Sequence, residues 1–69
     1  MKKLIVLGAG ESGVGAAILG KEKGYNVFVS DSGKIQTRYK QELESHSIAW
    51  EEGTHTLSMF EDADLVVKS

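Results

Sequence analysis

The residues able to do chemistry gather in the run Gly8-Ala9-Gly10-Glu11-Ser12-Gly13 and, further on, in Asp31-Ser32. A G-x-G-x-x-G run gives each glycine its own job. Gly8 permits a tight turn, Gly10 lets a ligand approach the backbone, and Gly13 lets a helix pack closely on a strand. If the run opens a helix, the free N–H groups of the first turn and the helix dipole favour an anionic or strongly polar ligand. Asp31 lies 18 residues beyond Gly13, near the ~20 at which an acid reads a ribose or base in a nucleotide site. A plainer reading makes Asp31 the cap of the following helix and the glycines a tight turn only. Nucleotide binding accounts for the run and the acid together.

Other reactive side chains are poorly placed for chemistry. His46 and His55 are nine residues apart, share no helical face and have no cysteine partner, which reads as surface histidines rather than metal ligands. Ser12 lacks a G-x-S-x-G elbow and a paired histidine, so it reads as a helix-start hydroxyl. Trp50 could stack on a base, but within Ile48-Ala49-Trp50 it reads as core. Glu51-Glu52 and Glu61-Asp62-Asp64 read as solvated loop acids without spacing for paired acid–base work.

The elements that must position the glycine run follow from apolar periodicity. Lys3-Leu4-Ile5-Val6-Leu7 is a nearly continuous apolar run, the pattern of a strand covered on both faces in a parallel sheet. From Gly13, Val14, Ala17 and Ile18 recur at helical spacing, and Lys21 to Lys23 followed by Gly24 give a basic last turn and a stop. Gly13, Ala16, Ala17 and Gly20 line one face with small residues. Gly20 costs about 1 kcal/mol in mid-helix, so a close helix–sheet contact is expected there. Asn26 to Ser30 reads as a second strand ending at Asp31-Ser32-Gly33. Ile35, Tyr39 and Leu43, at i, i+4 and i+8, predict a second helix. Ile48 to Trp50 predicts a third strand, Thr56 to Phe60 a helical turn, and Leu65 to Val67 a fourth strand.

This alternation predicts parallel βαβ units with right-handed crossovers. The expected fold is a Rossmann-like, three-layer α/β unit with four parallel strands in the order 3-2-1-4. Its ligand is expected at the carboxyl ends of strands 1 and 2. The fourth strand would be a short apolar edge, open to pairing with a second copy.

Composition sets the remaining bounds. The chain has 69 residues, 41% hydrophobic and 26% charged, with no cysteine. That is one small globular unit with a marginal core and no disulfide. No run approaches the roughly 18 apolar residues of a membrane span, and the apolar stretch after Lys2-Lys3 is too short for a secretion signal. A cytoplasmic setting is expected. The net charge is −2, with seven of the ten acids after residue 35. Neither half carries the basic stripe that nucleic acid binding requires.

The stretch from Gly8 to Gly13, with Ala16, Ala17, Leu19, Lys23-Gly24-Tyr25-Asn26-Val27 and Val29-Ser30-Asp31, resembles the opening of the Mur ligases of peptidoglycan synthesis. It is most similar to the members that add D-glutamate. The ending Ala63-Asp64-Leu65-Val66-Val67-Lys68-Ser69 is similar to their strand that runs into a Ser-Pro-Gly-Ile turn.

The resemblance implies that residues 1–69 are the first domain of a longer multidomain ligase. That domain would bind UDP-N-acetylmuramoyl-L-alanine through its UDP moiety. Glu11, Ser12, Asp31 and Ser32 would surround the uracil and ribose, alongside Gly8, Gly10 and Gly13 of the turn. Gly33 departs from the family, many of whose members carry a basic residue there against the uracil, and Lys34 is the substitute at hand. ATP and magnesium, with the amino acid, would belong to the remaining ligase domains. There the substrate carboxylate would be activated as an acyl phosphate and attacked by the amine of D-glutamate. No G-x-x-x-x-G-K-[ST] occurs in the chain, so the fragment alone is expected to carry no cofactor and no catalysis. The residues themselves leave two alternatives open, an NAD- or FAD-binding domain of an oxidoreductase and a nucleotide-sensing regulatory domain.

Overall fold

A strand with neighbours on both sides has no row to leave for water, and Leu4, Ile5 and Val6 are accordingly the buried middle of β1 (Lys3–Leu7). A computed structural model describes residues 1–69. After β1 come α1 (Glu11–Glu22), β2 (Asn26–Asp31), α2 (Thr37–Ser45), β3 (Ala49–Glu52), a 3₁₀ turn (Leu57–Phe60) and β4 (Leu65–Lys68). The four strands form one parallel sheet in the order β3-β2-β1-β4. This is the Rossmann-like order expected, with β1 paired on both sides. No helix is long and apolar enough to cross a membrane.

Register decides which side chains share a face. Leu4 lies beside Val27 and Leu65, and Val6 beside Val29 and Val67. Both helices cover this face: α1 packs on β1 and β2 and meets α2. Val14, Ala17 and Leu43 from the helices join Leu4, Val6, Val27, Val29, Ile35 and Ile48 in one core. A Cβ on Gly20 would collide with Leu4 Cδ2 and lie 3.4 Å from Val27 Cγ2. The close helix–sheet contact therefore compensates for the propensity cost of glycine.

The return from β3 to β4 crosses the opposite face. His55 and Thr56 there bond to Ser30 and Glu51, and Asp62 and Asp64 bond to Lys3. This third layer is thin, and Leu57 on its 3₁₀ turn is 80% exposed. Ile5 is nevertheless fully buried.

Both helices end in a Schellman motif, in which two backward amide bonds satisfy the last carbonyls. At α1 the Tyr25 amide donates to the Gly20 carbonyl at 3.0 Å and the Gly24 amide to Lys21 at 3.1 Å. Gly24 takes the required positive φ of 90°. At α2 the Ile48 amide donates to Leu43 at 2.9 Å, with Ser47 rather than glycine in the left-handed position at φ 58°. Leu43 and Ile48, the two residues joined by that bond, are both buried.

Two helix starts differ from the sequence expectation. α1 begins at Glu11 rather than Gly13, because the Gly10 carbonyl already accepts the Val14 amide at 2.9 Å. α2 begins at Thr37, leaving Ile35 buried but outside the helix. Gln36 is extended at ψ 143°, which ends any helical path before Thr37, and the Ile35 amide donates instead to Glu52 at 2.9 Å.

Candidate functional site

The glycine run forms the connection from the carboxyl end of β1 into α1. Gly8 ends the ladder, donating its amide to the Ser30 carbonyl at 2.9 Å, and turns the chain with φ 98°. A side chain at Gly13 would collide with the Gly8 carbonyl oxygen, whose carbon would be 2.9 Å away. The helix start thus packs directly on the turn. Around Gly10 the opposite holds, since a Cβ there would meet nothing within 4 Å.

No group of the chain accepts from the amides of Gly10, Glu11, Ser12 or Gly13. α1 also has no side-chain cap. Four donors at the positive end of the helix dipole are therefore without acceptors, three on the exposed residues Gly10, Glu11 and Ser12 and the fourth on buried Gly13, and the exposed ones suit phosphate or strongly polar acceptors. Glu11 and Ser12 are exposed at the rim of the helix start.

Asp31, at the end of β2, links this turn to the next loop. Its Oδ2 accepts the Ala9 amide at 2.8 Å, and its Oδ1 accepts the Gly33 amide at 2.8 Å. It does not cap α2, whose N-cap is Gln36. Each carboxylate oxygen can accept more than one bond, so the half-buried Asp31 retains acceptor capacity toward a ligand while holding both loops. Ser32 is exposed next to it.

The third contributor is Ser69, which the sequence reading did not number among the site residues. Its amide donates to Leu7 at 3.0 Å, and its Oγ lies 3.2 Å from the Leu7 carbonyl and 3.4 Å from that of Gly8. Only the pairing of β4 with β1 brings it there, so spacing along the chain gave no signal. The carboxyl ends of β1, β2 and β4 thus bring together Gly8 to Gly13, Asp31 to Gly33, and Ser69. A shallow recess of about 200 Å³ lined by Lys2, Lys23, Gly24 and Tyr25 lies at the other end of the sheet. It shares no residue with the glycine turn.

Glu51 and Glu52 are not the solvated loop acids that the sequence suggested. Both lie in β3 and hold other segments in place. Glu52 accepts the Ile35 amide through Oε1 and the Lys40 ammonium through Oε2, each at 2.9 Å. Those two donors hold its carboxyl below the ordinary value of 4.5. Lys40 also lies 5.1 Å from the centre of the Trp50 ring, and Trp50 packs on the core as expected.

Glu51 accepts the Thr56 amide at 2.8 Å, the Thr56 hydroxyl at 2.6 Å and the Ser30 hydroxyl at 2.7 Å. Burial opposes its charge, but the Thr56 and Ser30 bonds and nearby His55 prevail and lower its carboxyl below 4.5. His55, expected as a free surface residue, has Nδ1 2.6 Å from Ser30 Oγ. Serine, acid and histidine meet here without making a nucleophile. Ser30 is fully buried and stands between the other two, whereas activation requires the histidine in the middle.

Three comparisons place this geometry among known proteins. The sequence model of the MurD N-terminal domain matches residues 3–69. The chain is 56% identical over 69 residues to the UDP-N-acetylmuramoylalanine--D-glutamate ligase of Bacteroides thetaiotaomicron, and 58% identical to that of Bacteroides fragilis strain YCH46. Each alignment covers 100% of this chain and 16% of the relative. A more distant relative of the same name, from Pelodictyon phaeoclathratiforme, is 41% identical over 68 residues, 99% of this chain and 14% of its own. Among solved structures, a bacillithiol disulfide reductase from Bacillus cereus superposes with a TM-score of 0.71 at 19% identity, over 97% of this chain and 28% of that one. At that identity the likeness is one of fold alone.

Proposed function

The chain belongs to the MurD N-terminal domain family, and from that premise we propose that it is the part of a D-glutamate-adding Mur ligase that holds the UDP moiety of UDP-N-acetylmuramoyl-L-alanine. The observation that carries this reading is the set of amides on Gly10, Glu11 and Ser12, left without acceptors on exposed residues, with open space beside Gly10. A diphosphate supplies the missing acceptors at the favourable end of the helix dipole. The acidic rim suits the other half of a nucleotide. Asp31 and Glu11 repel phosphate but accept from ribose hydroxyls or the ring N–H of uracil, and Ser12 and Ser32 can donate or accept.

The chain spans 16% of its ligase relatives, and its share of an amide-forming reaction would be retention of substrate. It has no Gly-Lys-Thr/Ser phosphate loop and so does not cradle ATP phosphates by that route. No catalytic step is assigned to it.

Titration with UDP, followed by ¹⁵N-resolved chemical shifts, tests the reading. The expected perturbations are at Gly10, Glu11, Ser12, Asp31 and Ser32. Shifts confined to Lys2, Lys23 and Tyr25 would place binding at the opposite end of the sheet and refute it. NAD serves as the control, because a dinucleotide-binding domain would prefer it to UDP.

A further inference from the structure

The loop that carries Ser32 and Gly33 is held from two strands. Asp31 on β2 takes the Gly33 amide, and the Gly53 amide just beyond β3 donates to the Gly33 carbonyl at 3.0 Å. Glu52 on β3 takes the Ile35 amide at 2.9 Å. Asp31 and Glu52 are register partners in the parallel β2–β3 ladder, so the two acids share one face of the sheet on neighbouring strands and grip successive parts of the same loop. Adjacent like charges are unfavourable unless each is compensated. Asp31 is compensated by two amides, and Glu52 by an amide and the Lys40 ammonium at 2.9 Å.

We propose that Glu52 is a positioning residue for the nucleotide site, acting through the Ile35 amide to fix the loop 32–35 against the glycine turn. Three features set this arrangement apart from an ordinary surface ion pair, which contributes little. The side chain of Glu52 is only 25% exposed. Its two oxygens serve different elements, the loop through Ile35 and α2 through Lys40. Its bond to Ile35 also anchors a residue that is itself buried, next to the extended Gln36. A loop fixed in this way loses less conformational freedom when ligand binds, which raises affinity by preorganisation. Lys34, exposed on the same loop, lies near enough to Glu52 to help hold its carboxylate ionised.

The proposal rests on the UDP-binding reading, and the test separates the two. The full chain and its Glu52→Ala, Glu52→Gln and Lys40→Met variants are titrated with UDP, and amide hydrogen exchange is followed residue by residue. For Glu52→Ala we expect roughly tenfold weaker binding, with faster exchange at Gly33 and Ile35 and unchanged exchange at Ile5 and Val29. Glu52→Gln keeps an oxygen that can accept the Ile35 amide and should recover most of the affinity. Lys40→Met leaves the Ile35 bond in place and should weaken binding less than Glu52→Ala does. Parent-like UDP affinity in a folded Glu52→Ala chain, or a Glu52→Gln chain as weak as Glu52→Ala, would overturn the proposal. Absence of UDP binding in the parent chain would instead overturn the nucleotide reading, and the positioning role with it.

Discussion

Three glycines within six residues should respond to substitution in three different ways. Gly15 is exposed in the interior of α1, and a Cβ there would meet nothing within 4 Å. Gly15→Ala should therefore stabilise the chain by about 0.5 to 1 kcal/mol, the propensity difference in a helix interior. In a domain this small that corresponds to a rise of roughly 2 to 8 °C in melting temperature. Gly13→Ala gains the same propensity, but its Cβ collides with the Gly8 carbonyl. The obstacle is backbone rather than a side chain that can rotate away. Overpacking costs about 1 to 3 kcal/mol, and the upper value less the helix gain leaves about 2 kcal/mol of net destabilisation, a fall of roughly 10 °C. Gly10→Ser should melt within a few degrees of the parent, because serine is at least as good an N-cap and the space is open. That same space is where the ligand is proposed to sit, so UDP binding should weaken in this variant alone of the two that fold normally. Thermal melts by circular dichroism and a UDP titration decide the matter. A Gly13→Ala chain as stable as Gly15→Ala would refute the packing argument, and a Gly10→Ser chain with parent affinity would refute the ligand placement.

Lowered carboxyls at Glu51, Glu52 and Asp62 predict acid sensitivity. A folded-state value below the unfolded one gives stability that is complete above about 4.5 and disappears as pH falls through the folded value, so melting temperature should hold from pH 7 to 5 and then drop. A rise between pH 5 and 3 would contradict this, and Glu51→Gln should flatten part of the fall. Asp31→Ala should weaken UDP binding by about 1.5 to 3 kcal/mol, the range for a charge-assisted hydrogen bond. It should also speed exchange at Ala9 and Gly33, and parent-like values of both would reduce Asp31 to an ordinary surface acid. The same carboxylate should make NADP a poorer ligand than NAD or UDP, because it repels a 2′-phosphate, and a competition assay in which NADP displaces UDP best would disprove this. β4 pairs only with β1, and Leu65 and Val66 on it are 46% and 48% exposed. Self-association through that edge is expected in sedimentation at high concentration and should diminish in Val66→Lys; a parent chain that sediments as a monomer throughout would exclude it.

What was legible in the sequence was whatever depends on near neighbours along the chain. The apolar run of β1, the spacing of Val14 and Ala17, and the glycine stop at Gly24 each report a local backbone preference, and each element formed where expected to within a few residues. The strand order was legible too, because crossover handedness and short connections leave few alternatives. The glycine run was legible at atomic detail: Gly8, Gly10 and Gly13 occupy a tight turn, an open face and a close packing contact. Ile35 marks the limit of such reasoning. Its helical spacing with Tyr39 and Leu43 was real, and all three pack in or against the core, yet Gln36 is extended and Ile35 stays outside the helix, its amide bonded to an acid 17 residues away.

The acids of β3 show why the rest was hidden. In Glu51-Glu52 the side chains alternate across the sheet, so two identical neighbours in sequence serve opposite layers. Glu51 faces the thin layer and gathers Ser30 and Thr56, while Glu52 faces the helices and gathers Ile35 and Lys40. Neither partnership has a signature in one dimension, because each is created by the register that sets Ser30 beside Glu51 and Asp31 beside Glu52. A register slip of one residue would exchange the two faces and strand both carboxylates without donors. The charged pair thus penalises the wrong alignment of a short edge strand, of which only Trp50 packs against the core. The same alignment that secures β3 puts a carboxylate under the loop beside the glycine turn. In this chain the polar residues that fix the sheet and those that shape the candidate site are therefore partly the same residues.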